Sequence, residues 1–187
     1  SKQKQGVNFR TNTRFNTFKN IKSQMKNFID TPQKEIFKKF WGKLDAAQRS
    51  GNAENVWNNN TKRDLIKVLK EMNEKEEYQN EWKDTLNNAR KTLWELYGIL
   101  HIYKYPPINS CTKNGLDFFG FKSSDEYKDI LKNFNEFKEN YYKKIIGHVT
   151  KNLKYEIPLN FEIDQLLNVV DKTTKNDIDK ASSDEEK

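Results

Sequence analysis

"MNEKEEYQNEW" (72–82) decides how the middle of this chain reads, because it is a polar interruption in a regular apolar pattern. Leu65, Val68 and Met72 lead into it with a 3-4 spacing, and Trp82, Leu86, Ala89, Leu93, Leu96, Leu100 and Tyr103 continue beyond it in the same register. The two seam positions inside the stretch are Lys75 and Gln79. A loop has no reason to preserve helical phase, whereas Glu, Lys and Gln are good helix formers and Glu71 to Lys75 is a favourably oriented i,i+4 pair. No Gly or Pro lies between Gly51 and Gly98. The pattern predicts one helix from Thr61 to Lys104, about 66 Å long at 1.5 Å per residue. Lys75 and Gln79 then form a polar layer in its core-facing seam, a weak point at which a bundle would open.

Outward from this element the chain remains helical. Phe15, Phe18, Ile21, Met25 and Phe28 fall on one face, with Lys19, Lys22 and Lys26 about 100° further round and flanking it. "TPQKE" (31–35) predicts a helix start with Thr31 as N-cap and Pro32 at the first position. Ile36, Phe37, Phe40, Trp41 and Leu44 supply its apolar face, and Gly51 its end. Pro106 and Pro107 exclude helix after Lys104. Ser123 and Glu126 form a capping-box pattern ahead of a seam of Tyr127, Ile130, Phe134, Phe137 and Tyr141, continuing through Ile145, Val149 and Leu153. From Leu153 to Ile163 the apolar period is two, which predicts an extended strap, and a short helix follows over 163–170. The resulting expectation is an all-α, elongated four-helix bundle with a short extra helix. One domain would cover 1–170, and the polar segment 171–187 would be a disordered tail.

Composition bounds the function. Apolar residues are 34% of the chain, but aromatics reach 13%, enough bulk to build a core from a modest apolar count. Cys111 is the single cysteine, which excludes an intrachain disulfide and a cysteine metal cluster. His101 and His148 are far apart and lack companions at ligand spacing. No phosphate-cradling glycine loop or nucleophile elbow occurs, so the expectation is a non-enzymatic protein with no catalytic residue, metal or cofactor. The chain begins at Ser1 rather than Met, so the lack of a leader says nothing of secretion.

The formal charge of +7 is unevenly placed: residues 1–43 hold eleven Lys or Arg against Asp30 and Glu35, a balance of +9. No helix-turn-helix or basic-zipper pattern accompanies it, which argues against nucleic acid. A basic helix beside an apolar face instead has the character of an interfacial membrane helix. Phe15, Phe18, Lys19, Lys22, Met25, Lys26 and Phe28 are accordingly the candidate membrane-binding residues, with a solvated bundle helix as the plain alternative. Lys75 and Gln79 are the candidate conformational-switch residues.

The Asn- and Lys-rich style of "NVWNNNTKRD" (55–64) and "LKNFNEFKENYYKKI" (131–145) resembles proteins encoded by AT-rich genomes, malaria parasites above all. Within that group, the long amphipathic helices and low cysteine content of residues 11–170 resemble the sporozoite microneme proteins essential for cell traversal. That resemblance implies a secreted, micronemal virulence protein with a helical-bundle fold, acting at host-cell membranes, with no catalytic residues. The segment "VWNNNTKRDLIKVLKEM" (56–72) also resembles the Trp-bearing helix of the exported helical interspersed subtelomeric family. That family implies a module binding a protein partner at the red-cell cytoskeleton, but its later Trp is missing, since no Trp follows Trp94.

Overall fold

A computed structural model describes the backbone of residues 2–50 and 52–185, and the side chains of 14–48 and 52–176. The protein is all-α, with no strand among the described residues. Its helices are more numerous than a four-helix bundle requires, and most of them are short. Contacts divide the chain into two compact units, Ser1–Asn109 and Ser110–Lys187, a boundary that falls inside the segment expected to be one domain.

The first unit holds α1 (Lys2–Asp30), α2 (Lys34–Trp41), α3 (Asp45–Ser50), α4 (Asn52–Asn58), α5 (Lys62–Glu74), α6 (Trp82–Thr85) and α7 (Arg90–Leu100). The helix expected after "TPQKE" starts two residues later than Pro32 predicts, with Gln33 as N-cap, and it stops at Gly42 rather than near Gly51. Stopping there lets Trp41 donate from Nε1 to the buried Asn52, 3.1 Å away at the start of α4. Phe28, Phe37, Phe40, Trp41 and Trp57 then meet in one aromatic cluster, with Phe37 stacked on Trp41 at 5.0 Å. The short α3 is held by Glu95, fully buried on α7, which accepts from the backbone N–H of Asp45 (3.0 Å) and Ala46 (2.7 Å). A carboxylate on a helix's first free N–H groups satisfies two orphan donors and complements the helix dipole.

The long helix over 61–104 is not formed. Its expected middle breaks after Glu74, and the chain resumes as α6 and then α7. Trp82 shows why: its Nε1 donates to Glu71 Oε2 at 2.8 Å. In an unbroken helix, eleven residues would separate those positions by about 16 Å. The chain folds back so that Tyr78, edge-on to Trp82 (5.2 Å), also packs edge-on against Tyr97 (5.7 Å), a ring that a straight helix would place about 28 Å away. The C-terminal carbonyls thereby released from α5 find partners on α7 and just beyond it. Tyr97 donates to Lys75 O (3.1 Å), His101 bonds Met72 O (2.8 Å) and Tyr105 donates to Glu76 O (2.9 Å). A second break lies at Asn88, whose φ of 60° is the left-handed conformation that Asn tolerates. Asn60 and Asn87 close it with a reciprocal pair of bonds at 3.1 and 2.8 Å.

Pro106 and Pro107 do end the helical run, and they return along α7. At Gly98 the Pro106 carbonyl oxygen lies 2.0 Å from where a Cβ would stand, so only glycine admits this approach.

The second unit holds α8 (Ser110–Phe118), α9 (Tyr127–Glu136), a π-helical turn (Phe137–Tyr142), α10 (Lys143–Ile145) and α11 (Leu159–Glu185). Ser123 and Glu126 do not form the expected capping box: Glu126 is itself the N-cap and its side chain makes no capping bond, and Ser124 bonds Asp129. The expected strap over 153–163 is also absent. Residues 150–155 are turns, Leu153 and Tyr155 point outward, and Pro158 accepts from Phe161 N–H (2.9 Å) at the opening of α11. That helix is long, not short. It passes through the expected tail boundary at 171, where Asp171 is buried and accepts from Asn114 (2.9 Å) and Lys175 (2.8 Å). Of the expected tail, residues 186–187 lie outside the described residues.

Candidate functional site

The candidate membrane-binding residues all lie on α1, and the structure separates them into two groups. Phe15, Phe18, Met25 and Phe28 are buried, as is Ile21 between them, because α1 packs on α2, α5 and α7. Lys19, Lys22 and Lys26 are exposed. The apolar face expected to meet lipid is therefore the core face of the first unit, and only the cations are free to contact another surface. Lys19 lies over the Phe15 ring at 4.7 Å, its stem covering that ring as a snorkelling lysine does. Arg14 is ion-paired with Asp45 and so ties α1 to α3.

Lys22 and Lys26 gain a partner that sequence reasoning missed. Lys70 of α5 joins them around an open cleft of about 280 Å³, whose other lining residues are Met25, Ile29, Asp30, Asn73 and Glu74. Three ammonium groups outnumber two carboxylates over an apolar floor, an arrangement suited to attracting an anionic group at a surface. Lys70 lies on the polar side of α5, so only the packing of α5 on α1 reveals its place in the cleft.

The two candidate switch residues are not brought into a seam. Lys75 is exposed and caps α5, its N–H donating to Glu71 O (2.8 Å) and its carbonyl accepting from Tyr97. Gln79 is half-buried in the following turn, where its Nε2 donates to Glu77 O (2.9 Å). Neither occupies a core layer, so no polar belt exists at which a bundle would open. Elsewhere in the first unit, Glu54 holds Lys34 and Lys38 in an exposed triad; hydrogen bonds from both lysines lower its carboxyl pKa to about 2.

Among the described residues, no group of three or more His, Cys, Asp or Glu could hold a metal ion. Among them, too, no helix is long and apolar enough to cross a membrane. Cys111 is buried, with a hydrogen bond to Asp171. Neither a protein-family model, nor a curated protein, nor a solved structure matches this chain.

Proposed function

We propose that this chain is a non-enzymatic protein that docks on anionic membrane surfaces through the cationic face of α1. The observation that carries the reading is the convergence of Lys22, Lys26 and Lys70 on one open cleft, with Lys19 exposed on the same helix. Because Phe15, Phe18, Met25 and Phe28 are engaged in the core, α1 contributes charge and not insertion in the folded state. The biological setting proposed with it is the one its compositional style resembles: a secreted malaria-parasite protein, micronemal before release, acting at host-cell membranes during sporozoite traversal.

The burial of that same apolar face favours a second reading, a helical module that binds a protein partner and has no affinity for lipid. Vesicle co-sedimentation separates the two. Replacing Lys22, Lys26 and Lys70 with Gln should weaken binding to phosphatidylserine-containing vesicles by about 1 kcal/mol per lysine, and added salt should weaken the parent protein likewise. Undiminished binding by the folded triple variant would remove the α1 reading. A parent protein that ignores vesicles altogether would leave the protein-binding module.

A further inference from the structure

Residues 141–155, "YYKKIIGHVTKNLKY", bury Tyr142 and Thr150 but otherwise present apolar and cationic side chains that the core of the second unit leaves exposed. Nine large hydrophobic side chains are exposed among the described residues, and six of them lie here: Tyr141, Ile145, Ile146, Val149, Leu153 and Tyr155. Single exposed apolar residues are ordinary, but six within fifteen consecutive positions are not.

The cause is a phase shift. The buried seam of α9 runs Tyr127, Ile130, Phe134 and Phe137, then passes to Tyr142 through the π-helical turn instead of to Tyr141. The extra residue in that turn rotates the helix after it, so Ile145, expected in the seam, becomes 66% exposed; Val149, also expected there, lies past the helix end and is 58% exposed. Gly147, at φ +78°, then reverses the chain.

The segment is nonetheless anchored. Glu162 of α11, itself buried, accepts from Tyr142 Oη (2.8 Å), Val149 N–H (2.8 Å), Thr150 N–H (3.0 Å) and Thr150 Oγ1 (2.8 Å). His148 Nε2 bonds the Ile157 carbonyl at 2.8 Å. One carboxylate thus fixes the base of the loop while the apolar side chains above it face solvent.

Charge selects the occupant. The fifteen residues contain Lys143, Lys144, Lys151 and Lys154 and no acid. Glu139 takes Lys143 at 2.7 Å, whereas Lys144, Lys151 and Lys154 have no ion-pair partner among the described residues. Protein–protein interface cores are depleted in lysine. Aliphatic side chains beside Tyr and Lys are instead the composition of a lipid headgroup boundary. We propose that residues 141–155 form an interfacial anchor for an anionic bilayer, with Ile145, Ile146, Val149 and Leu153 entering the headgroup region and Lys144, Lys151 and Lys154 meeting lipid phosphates. This deepens the membrane reading given above and rests on it for the class of surface, but on different residues.

The test uses the full chain and vesicles of phosphatidylcholine with and without phosphatidylserine. Val149→Ser with Leu153→Ser, and separately Lys151→Gln with Lys154→Gln, should each lower partitioning onto anionic vesicles about tenfold or more. An environment-sensitive dye on Leu153→Cys should shift to the blue on anionic vesicles only; native Cys111 is fully buried and escapes labelling. The dye arm decides the matter even if a double variant folds poorly. Binding that survives the 149/153 change yet falls with the α1 lysine variants overturns the anchor and leaves the α1 reading standing. The reverse pattern sustains the anchor and overturns α1. A dye shift that follows protein concentration without lipid assigns the patch to a second copy and overturns the proposal, as does a parent protein with no vesicle binding.

Discussion

The phenol of Tyr97, on α7, donates to the carbonyl of Lys75 at the end of α5, 3.1 Å away and twenty-two residues earlier in the chain. This bond takes over an acceptor that a continuing helix would have satisfied within itself, and it explains why α5 ends where the apolar register predicts continuation. Burial pushes the Tyr97 hydroxyl upward, so it remains a donor well into alkaline conditions. Tyr97→Phe should cost about 1 kcal/mol, and Tyr97→Phe with Tyr105→Phe about 2 kcal/mol, in urea unfolding of the first unit followed by Trp fluorescence. Unchanged midpoints would mean that water replaces both caps at no cost.

Lys75→Leu with Gln79→Leu distinguishes the broken from the continuous helix. In a polar core layer the exchange would stabilise by about 1–4 kcal/mol. With Lys75 exposed and Gln79 in a turn, it should change stability by less than about 0.5 kcal/mol. A gain above that range would restore the seam.

Glu95→Ala removes the acceptor of two backbone N–H groups at the start of α3 and leaves a cavity in the middle of α7. The expected loss is about 2–4 kcal/mol, summed from charged hydrogen bonds and packing. Amide exchange at Asp45 and Ala46 should quicken more than exchange within α5. Equal acceleration everywhere would assign Glu95 to general packing.

The helical class and the apolar face of α1 were legible in the sequence because both depend on local period: Phe15, Phe18, Ile21, Met25 and Phe28 share one face by their spacing, and the structure buries all five. The breaks were not, because they are made by partners remote in sequence. Glu71 meets Trp82, Lys75 meets Tyr97, and Asn60 meets Asn87; none of these pairings leaves a mark on periodicity. The π-helical turn at 137–142 was equally hidden, since a one-residue phase slip looks like drift in an otherwise helical seam. For the site, the lysines of α1 were visible as a flank of an amphipathic helix. Which flank would be used was not, because an apolar stripe reads the same whether it faces a core or a bilayer.

Gly98→Ala tests the return of the Pro106–Pro107 segment along α7. A methyl there would lie 2.0 Å from Pro106 O and 2.5 Å from Pro107 Cα, both backbone atoms that no rotamer change can move. The variant should lose at least about 3 kcal/mol or fail to fold its first unit, a larger effect than overpacking between side chains produces. A variant of ordinary stability, measured by thermal unfolding, would show that the segment lifts away at little cost.

Asp171 supplies a pH dependence in the second unit. Its carboxyl is buried, which pushes its pKa up, but hydrogen bonds from Cys111, Lys175 and Asn114 and the Lys175 charge outweigh burial and hold it below the ordinary value of 3.8. The folded state therefore binds this proton less readily than the unfolded state. The resulting stabilisation is complete above the ordinary aspartate value and is lost as pH falls through the depressed one. Glu54 imposes a similar acid sensitivity on the first unit, so a global acid titration would mix the two. Local amide exchange in α8 and α11 isolates the second unit. There, protection in the parent protein should decline in acid, whereas Asp171→Asn should start lower near neutral pH and decline less steeply. An acid slope unchanged by the substitution would place the sensitivity on carboxylates other than Asp171.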